Sequence, residues 1–446
     1  MNRVCQAFLA TSVVLVSASA GGQTYLETFS TNAGAGGAGF GYGSAVGLDG
    51  GLAAISMYDQ VTPAGKVAIV DVDQHAEIAR LSLGFDFNTD QLIYEQGTLI
   101  VSDASASVMG TSSGVVKMFN IQDVQAPQLV HTFTHDDPAF SDDFGYAMGF
   151  DGENVYIGSV GDTDIDDGAG AVFVFDALTG NQVLKLTPAD GADGDLFGSS
   201  IEVAGDTLAV GALSHGAGGA VYFFDTNTGN QIDKVIPANL PANANFGRSL
   251  AVAGDTLLVG ANRDGAQGLG KVYVYDITNR QLVTTLEPTD CADGFCAGFG
   301  FKVAIDGDLA LVSTRVGQGL NFDGTVFVYD TSSWDVVAEL EPSDYQPSIG
   351  NSDQFGSSIA IENDMVVVGA AGVQPATSQV RGVVYYYDLS FDCAADVNGD
   401  GMLSPTDFSA WLIAYNNGDP GCDQNDDGAC TPTDFTAWVT NFNAGC

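Results

Sequence analysis

A unit of about fifty residues recurs along this chain, and the recurrence restricts the possible fold more than any other feature. The clearest copy begins Phe197-Gly198-Ser199-Ser200-Ile201 and turns at Gly205-Asp206. It continues through Thr207-Leu208-Ala209-Val210-Gly211-Ala212 and Val221-Tyr222-Phe223-Phe224-Asp225, and ends in a short run at 231–236. The next copy repeats it from Phe246-Gly247 through Gly254-Asp255 and Val259-Gly260-Ala261 to Val272-Tyr273-Val274-Tyr275-Asp276. Further copies start at Phe144-Gly145, Phe299-Gly300 and Phe355-Gly356, with a looser one at Phe40-Gly41. A degenerate one starts near Phe87, where Asn88 replaces the glycine. The seven starts lie 47 to 57 residues apart.

Each unit reads as four short strands divided by turn residues. The runs Val221–Phe224 and Val272–Tyr275 are β-branched and aromatic, with no helical period. One four-stranded sheet leaves a face unburied, whereas a ring of seven buries each face against a neighbour. The fold expected is all-β: a seven-bladed β-propeller over residues 21–390. The seventh unit stops at Tyr387-Asp388 without a fourth strand. An orphan strand-like segment lies at 24–29, and its addition to the last blade would lock the ring and cover an exposed edge.

These units resemble the FG-GAP repeats of integrin-type propellers, over about residues 35–390. The resemblance rests on the Phe-Gly start, the Val-Gly-Ala run and the aromatic third strand. Integrin-like repeats often carry an Asp-rich calcium loop between their first two strands; here that place holds a tight turn such as Ala204-Gly205-Asp206. The nearest substitute is the next loop along, where Asp162, Asp164 and Asp166 cluster as a weak candidate calcium site or a merely solvated acidic loop.

Residues 391–446 are of a different kind. Asp396 to Asp407 has the pattern of a twelve-residue EF-hand loop. Oxygen donors stand at Asp396, Asn398, Asp400, Ser404 and Asp407, Met402 offers a backbone carbonyl, and Gly401 sits at the sharp turn. A second copy follows 27 residues later, with Asp423, Asn425, Asp427, Thr431 and Asp434 as donors, Ala429 at the carbonyl position and Gly428 at the turn. Each loop runs into a short helix, Phe408-Ser409-Ala410-Trp411-Leu412 or Phe435-Thr436-Ala437-Trp438-Val439, with aromatics at i, i+3 on one face. The segment contains nine Asp and no basic residue, so two calcium ions would offset charge that otherwise repels itself.

Paired loops ending in Asp resemble dockerin repeats, and the match spans about residues 393–446. The resemblance implies a small α-helical docking module for a cohesin-like or other surface receptor, with recognition at Pro405, Thr406, Pro432 and Thr433. The four cysteines and the terminal Gly445-Cys446 resemble a variant, GC-type subtype.

Composition bounds the rest. Residues 1–20 read as a signal peptide: Arg3, a short apolar run over 7–16, and Ala18-Ser19-Ala20 at the cleavage site. Six cysteines follow, an even number suited to an oxidising compartment. Cys291 and Cys296 form one candidate pair; Cys393, Cys422, Cys430 and Cys446 allow three pairings. The formal net charge of −43 disfavours nucleic acid and anionic lipid as partners. A hydrophobic content of 45% supplies a core, against disorder. No segment after the leader is long and apolar enough to span a membrane. The four histidines form no metal pattern, and no catalytic constellation stands out.

The function expected is that of a secreted or cell-surface, calcium-dependent binding or adhesion protein. Its propeller would meet a protein or glycan ligand while the C-terminal module tethers it. A polysaccharide-active enzyme carried on a dockerin, and a structural surface protein without a discrete ligand, are the alternatives. Convergent carboxylates and aromatics at the ring centre would favour the enzyme; an apolar or aromatic patch on one rim would favour the binder.

Overall fold

A computed structural model describes residues 24–29 and 43–444, apart from 60–63, 73, 75, 86, 88, 109–110, 136–138, 266–267, 289–296, 315–323, 342–353, 372–382, 390–394, 396, 398–404 and 426–428. The signal-peptide reading of 1–20 lies outside them, as do Cys291, Cys296, Cys393 and Cys446. Contacts divide the chain into a large unit, which includes Tyr25–Asp388, and a small one, which groups Ala20–Thr24 with Leu389–Cys446. Among the described residues no helix is long and apolar enough to cross a membrane.

The repeats fold as seven four-stranded antiparallel sheets. Their innermost strands are Val46–Asp49, Gln91–Glu95, Phe144–Phe150, Phe197–Ala204, Phe246–Ala253, Val303–Asp306 and Phe355–Glu362. Each touches the innermost strand of the next sheet, and the first touches the seventh, so the ring closes as a seven-bladed β-propeller. The last blade borrows its outermost strand, Thr24–Phe29, from the start of the chain and pairs it beside Val383–Asp388. That is the closure expected from the orphan segment.

The repeated motif does its work at the joints between blades. Phe144, Phe197, Phe246, Phe299 and Phe355 are all buried, each edge-on to an aromatic of its own third strand. Edge-to-face geometry places the positive ring edge on the negative face. The glycine after each phenylalanine turns its carbonyl toward the preceding blade. A Cβ on Gly211 would sit 2.3 Å from Gly247 O, one on Gly260 2.2 Å from Gly300 O, and one on Gly369 2.1 Å from Gly43 O. Only glycine permits such an approach. A serine hydroxyl then bridges the same joint: Ser200 Oγ donates to Gly247 O at 2.7 Å, Ser249 Oγ to Gly300 O at 3.1 Å and Ser358 Oγ to Gly43 O at 2.7 Å.

These joints correct the register of the first repeat. Gly43, not Gly41, receives the serine hydroxyl from the seventh blade, so the first unit starts two residues later than the Phe40-Gly41 reading. Both positions read as aromatic followed by glycine, and only the joint distinguishes them. The second blade carries one extra residue. A Cβ on Gly65 would meet Phe87 O at 2.1 Å, as its counterpart Gly114 would meet Phe144 O, yet Leu92 opposes Val101 five positions after Phe87. In the fifth blade Leu250 opposes Val259 four positions after Phe246.

Backbone contact at these joints makes a quantitative claim. Gly260→Ala should destabilise the propeller by about 1–3 kcal/mol through overpacking, and Ser249→Ala by about 1 kcal/mol through the lost hydrogen bond. Denaturant unfolding measures both; a wild-type midpoint for Gly260→Ala would show that the joint tolerates a side chain.

Candidate functional site

The C-terminal body is built around two equal helices, α1 (Pro405–Asn417) and α2 (Pro432–Ala444). Each begins with proline, whose fixed φ and missing N–H suit the first helical position. At α2 the start is a reciprocal cap. The Asp434 carboxylate accepts the Thr431 backbone N–H at 2.6 Å and its hydroxyl at 3.2 Å, while Asp434 N donates to Thr431 O at 3.0 Å. It also accepts the Gln424 N–H at 3.0 Å, tying the far end of the second loop to the helix. These donors, the Thr431 N–H first, hold its pKa below the usual carboxylate range. Asp407 and Asp434, the last ligands of the two candidate loops, are both fully buried.

The two halves hold each other by a symmetric exchange. Trp411 Nε1 donates to Cys422 O at 3.1 Å, and Trp438 Nε1 donates to Ala395 O at 3.0 Å. Donors and acceptors are each separated by 27 residues, the period of the duplication. Cys422 and Ala395 directly precede Asp423 and Asp396, the first residues of the loops. Each indole therefore fixes the entrance of the other half's loop. Ala395, Trp411, Ala414, Cys422 and Trp438 form the shared core, as the i, i+3 aromatics suggested. Of the three cysteine pairings left open, the structure takes Cys422–Cys430, with Cα atoms 5.5 Å apart, tying the residue before the second loop to one inside it.

The described ligand candidates are oxygen donors, which fit a hard cation such as calcium. Asp423, Asn425, Ala429 and Thr431 lie with Asp434 around the second loop. Asn425 Nδ2 reaches Thr433 Oγ1 at 3.4 Å, and Thr431 and Thr433 share a hydrogen bond of 2.5 Å. Asp396, Asn398, Asp400, Met402, Ser404 and Asp427 lie outside the described residues. Pro405, Thr406, Pro432 and Thr433, the recognition candidates, occupy the exposed first positions of their helices.

On the propeller, Asp162 and Asp164 already hold a cation. Lys185 Nζ stands 2.7 Å from Asp162 and 2.5 Å from Asp164, above the Phe173 ring. Asp166 Oδ1 accepts the Asp167 N–H. The next blade repeats the device with Lys234 on Asp190 and over Tyr222, and with His215 Nδ1 2.8 Å from Asp195.

A second candidate site lies at the ring centre, a place the sequence pointed to without singling out its residues. The seven innermost strands enclose a central channel with a cavity of about 590 Å³, to which every blade contributes. Its charged lining is Asp90, Asp143, Glu202, Arg248 and Lys302. Burial pushes the Asp90 carboxyl up to about 6. Burial, with Glu95 adding repulsion, pushes Glu202 up to about 8. Burial, with Arg248 adding repulsion, pulls Lys302 down to about 8. Arg248 reaches across the fourth blade to Tyr146, donating from Nη1 to its hydroxyl at 3.3 Å, and its guanidinium lies 4.9 Å from the Phe301 ring centre. The available signal was local: Arg248 and Lys302 stand where other repeats have serine.

Three stretches, 181–224, 230–275 and 334–387, match the family model described as FG-GAP repeat. The seven-bladed propeller thus carries FG-GAP repeats. Among curated proteins none matches the chain.

Glu202 sets a pH dependence. Its folded pKa of about 8 lies above the ordinary 4.5, so the unfolded chain releases this proton first. Its contribution to stability is full at acid pH and declines as pH rises from 4.5 to about 8. Glu202→Gln should flatten the midpoint-versus-pH curve in that window; an unchanged slope would place the proton elsewhere.

Proposed function

We propose that this chain is an extracellular binding protein in which an FG-GAP propeller presents a ligand-binding channel and a calcium-loaded C-terminal module attaches it to a surface receptor. FG-GAP propellers of integrin type serve extracellular binding and structural roles, and the repeats support that part of the reading. The observation that carries the calcium part is the exchange of indole hydrogen bonds between halves. Two segments with matching oxygen donors are each anchored, at the residue before the first donor, by a tryptophan from the other half, and each ends on a buried carboxylate. Buried carboxylates at the end of an oxygen-rich loop are what a hard cation requires.

Docking follows from exposure. Pro405, Thr406, Pro432 and Thr433 lie at the surface, and Phe408 and Phe435 remain half exposed beside them with ring centres 5.8 Å apart. Aromatic area flanked by short polar side chains is the composition of a contact surface. A cohesin-like receptor, or another protein with an apolar face, fits it. Because the surface is duplicated, the receptor has two related faces to engage.

Calcium titration of the whole chain by calorimetry tests this. Two ions per chain are expected. Asp396→Ala with Asp423→Ala should remove both and leave the propeller's thermal transition in place. Wild-type titration of the double variant would remove the ligand assignment.

A further inference from the structure

We propose that the Arg248–Lys302 end of the propeller channel binds an acidic sugar, with its carboxylate on the two cations and its hydroxyls against Asp90 and Asp143. The proposal deepens the reading of the propeller as the ligand-bearing body and is independent of calcium.

Charge economy is the first argument. The chain has 13 Lys and Arg against 56 Asp and Glu. Several described cations are spent on carboxylates: Arg80 on Glu77, Lys185 on Asp162 and Asp164, Lys234 on Asp190, and Lys271 on Glu287. Arg248 and Lys302 are not. Among the described residues neither has a carboxylate within ion-pair distance, and they stand on adjacent blades in one enclosed channel. Like charges confined together repel; burial, and after it the repulsion from Arg248, lowers Lys302's proton affinity. An anion between them would relieve that repulsion.

The second argument is how the fold makes room for Lys302. In the fourth, fifth and seventh blades this strand position is Ser200, Ser249 or Ser358, whose hydroxyl packs over a glycine of the second strand, Gly211, Gly260 or Gly369. The sixth blade reverses the pair. Serine moves to the second strand as Ser313, and its Oγ accepts the Lys302 backbone N–H at 3.1 Å. The hydroxyl is kept and the side chain at 302 is released from the joint. The first blade makes the same reversal, with Ala45 N donating to Ser56 Oγ at 2.9 Å, and places only a methyl group there. The reversal therefore does not itself demand lysine.

The third argument is orientation. Tyr146 and the Phe301 ring hold the Arg248 guanidinium from two sides. A guanidinium so fixed presents its remaining N–H groups in a planar fork that matches a carboxylate. The lysine ammonium adds a compact donor beside it. Asp90 and Asp143 line the same cavity and accept from hydroxyls, which a bare inorganic anion lacks. A volume of about 590 Å³ lies in the range of small-molecule sites.

The test is calorimetric titration of the whole chain with glucuronate, glucose and sulfate near neutral pH. Glucuronate should bind once per chain, with glucose and sulfate each weaker by about tenfold or more. Lys302→Ser, which restores the commoner residue of the repeat, and Arg248→Gln should each weaken glucuronate by about tenfold or more while circular dichroism stays native; Lys302→Arg should retain binding. Binding of glucose as tight as glucuronate, unchanged affinity in Lys302→Ser, or no glucuronate binding overturns the oxyanion subsite. Sulfate as tight as glucuronate overturns the sugar. The Asp396→Ala, Asp423→Ala protein should bind glucuronate like wild type, so failure of the calcium reading and failure of this one are separable.

Discussion

Everything in the propeller depends on adjacent blades meeting backbone to backbone at the glycine after the repeat's phenylalanine. Where the second strand also carries glycine, as at Gly211 against Gly247 and Gly260 against Gly300, that distance leaves no room for a Cβ. The Phe-Gly and Val-Gly-Ala runs are two faces of one contact. Phenylalanine then fills the wedge beside the joint, edge-on to the third strand. A serine hydroxyl satisfies the carbonyl that the close approach strips of water, since a buried acceptor left unpaired would be costly. Parallel bridges Gly170–Phe197, Gly219–Phe246 and Gly270–Phe299 reinforce three of these joints from the loop side. The motif persists because the joint recurs, and it drifts where the joint is solved differently, as with Ser313 in the sixth blade.

The chain's acidity is partly architectural. Asp176, Asp225, Asp276 and Asp330 each end a third strand and accept hydrogen bonds from a Thr or Ser two or three residues on. These donors hold all four carboxyls below their usual pKa. They are turn caps that any polar environment would favour. Asp162, Asp164 and Asp190 are instead held by lysines lying on aromatic rings, where the ring face adds to the ammonium's stabilisation. Against this background the unpaired cations of the channel stand out by position rather than by number.

The ring and its closure were legible because the unit repeats: seven copies of one pattern average out local ambiguity. The first repeat's register was not legible, because Phe40-Gly41 and Tyr42-Gly43 satisfy the same motif and only Ser358, more than three hundred residues away, chooses between them. The channel's charged residues were illegible for a related reason. Glu202, Arg248 and Lys302 are single departures within otherwise ordinary strands. They acquire meaning only when ring closure brings distant strands around one space. The C-terminal loops were visible as a duplication, and the Cys422–Cys430 pairing was not, since spacing alone admits every alternative.

The duplication in the C-terminal body has a consequence for how it holds together. A buried indole N–H needs an acceptor, and neither tryptophan finds one in its own half. Trp411 is satisfied at Cys422 and Trp438 at Ala395, so separating the halves would orphan both donors at once. The disulfide constrains only the second loop, yet the exchange carries that constraint across: Cys422 is at once a bridged residue, the acceptor for Trp411 and the neighbour of Asp423. Order imposed at one loop entrance is thereby transmitted to the core that positions the other. Each half thus completes the core and the hydrogen bonding of the other, so neither tryptophan is satisfied without both halves.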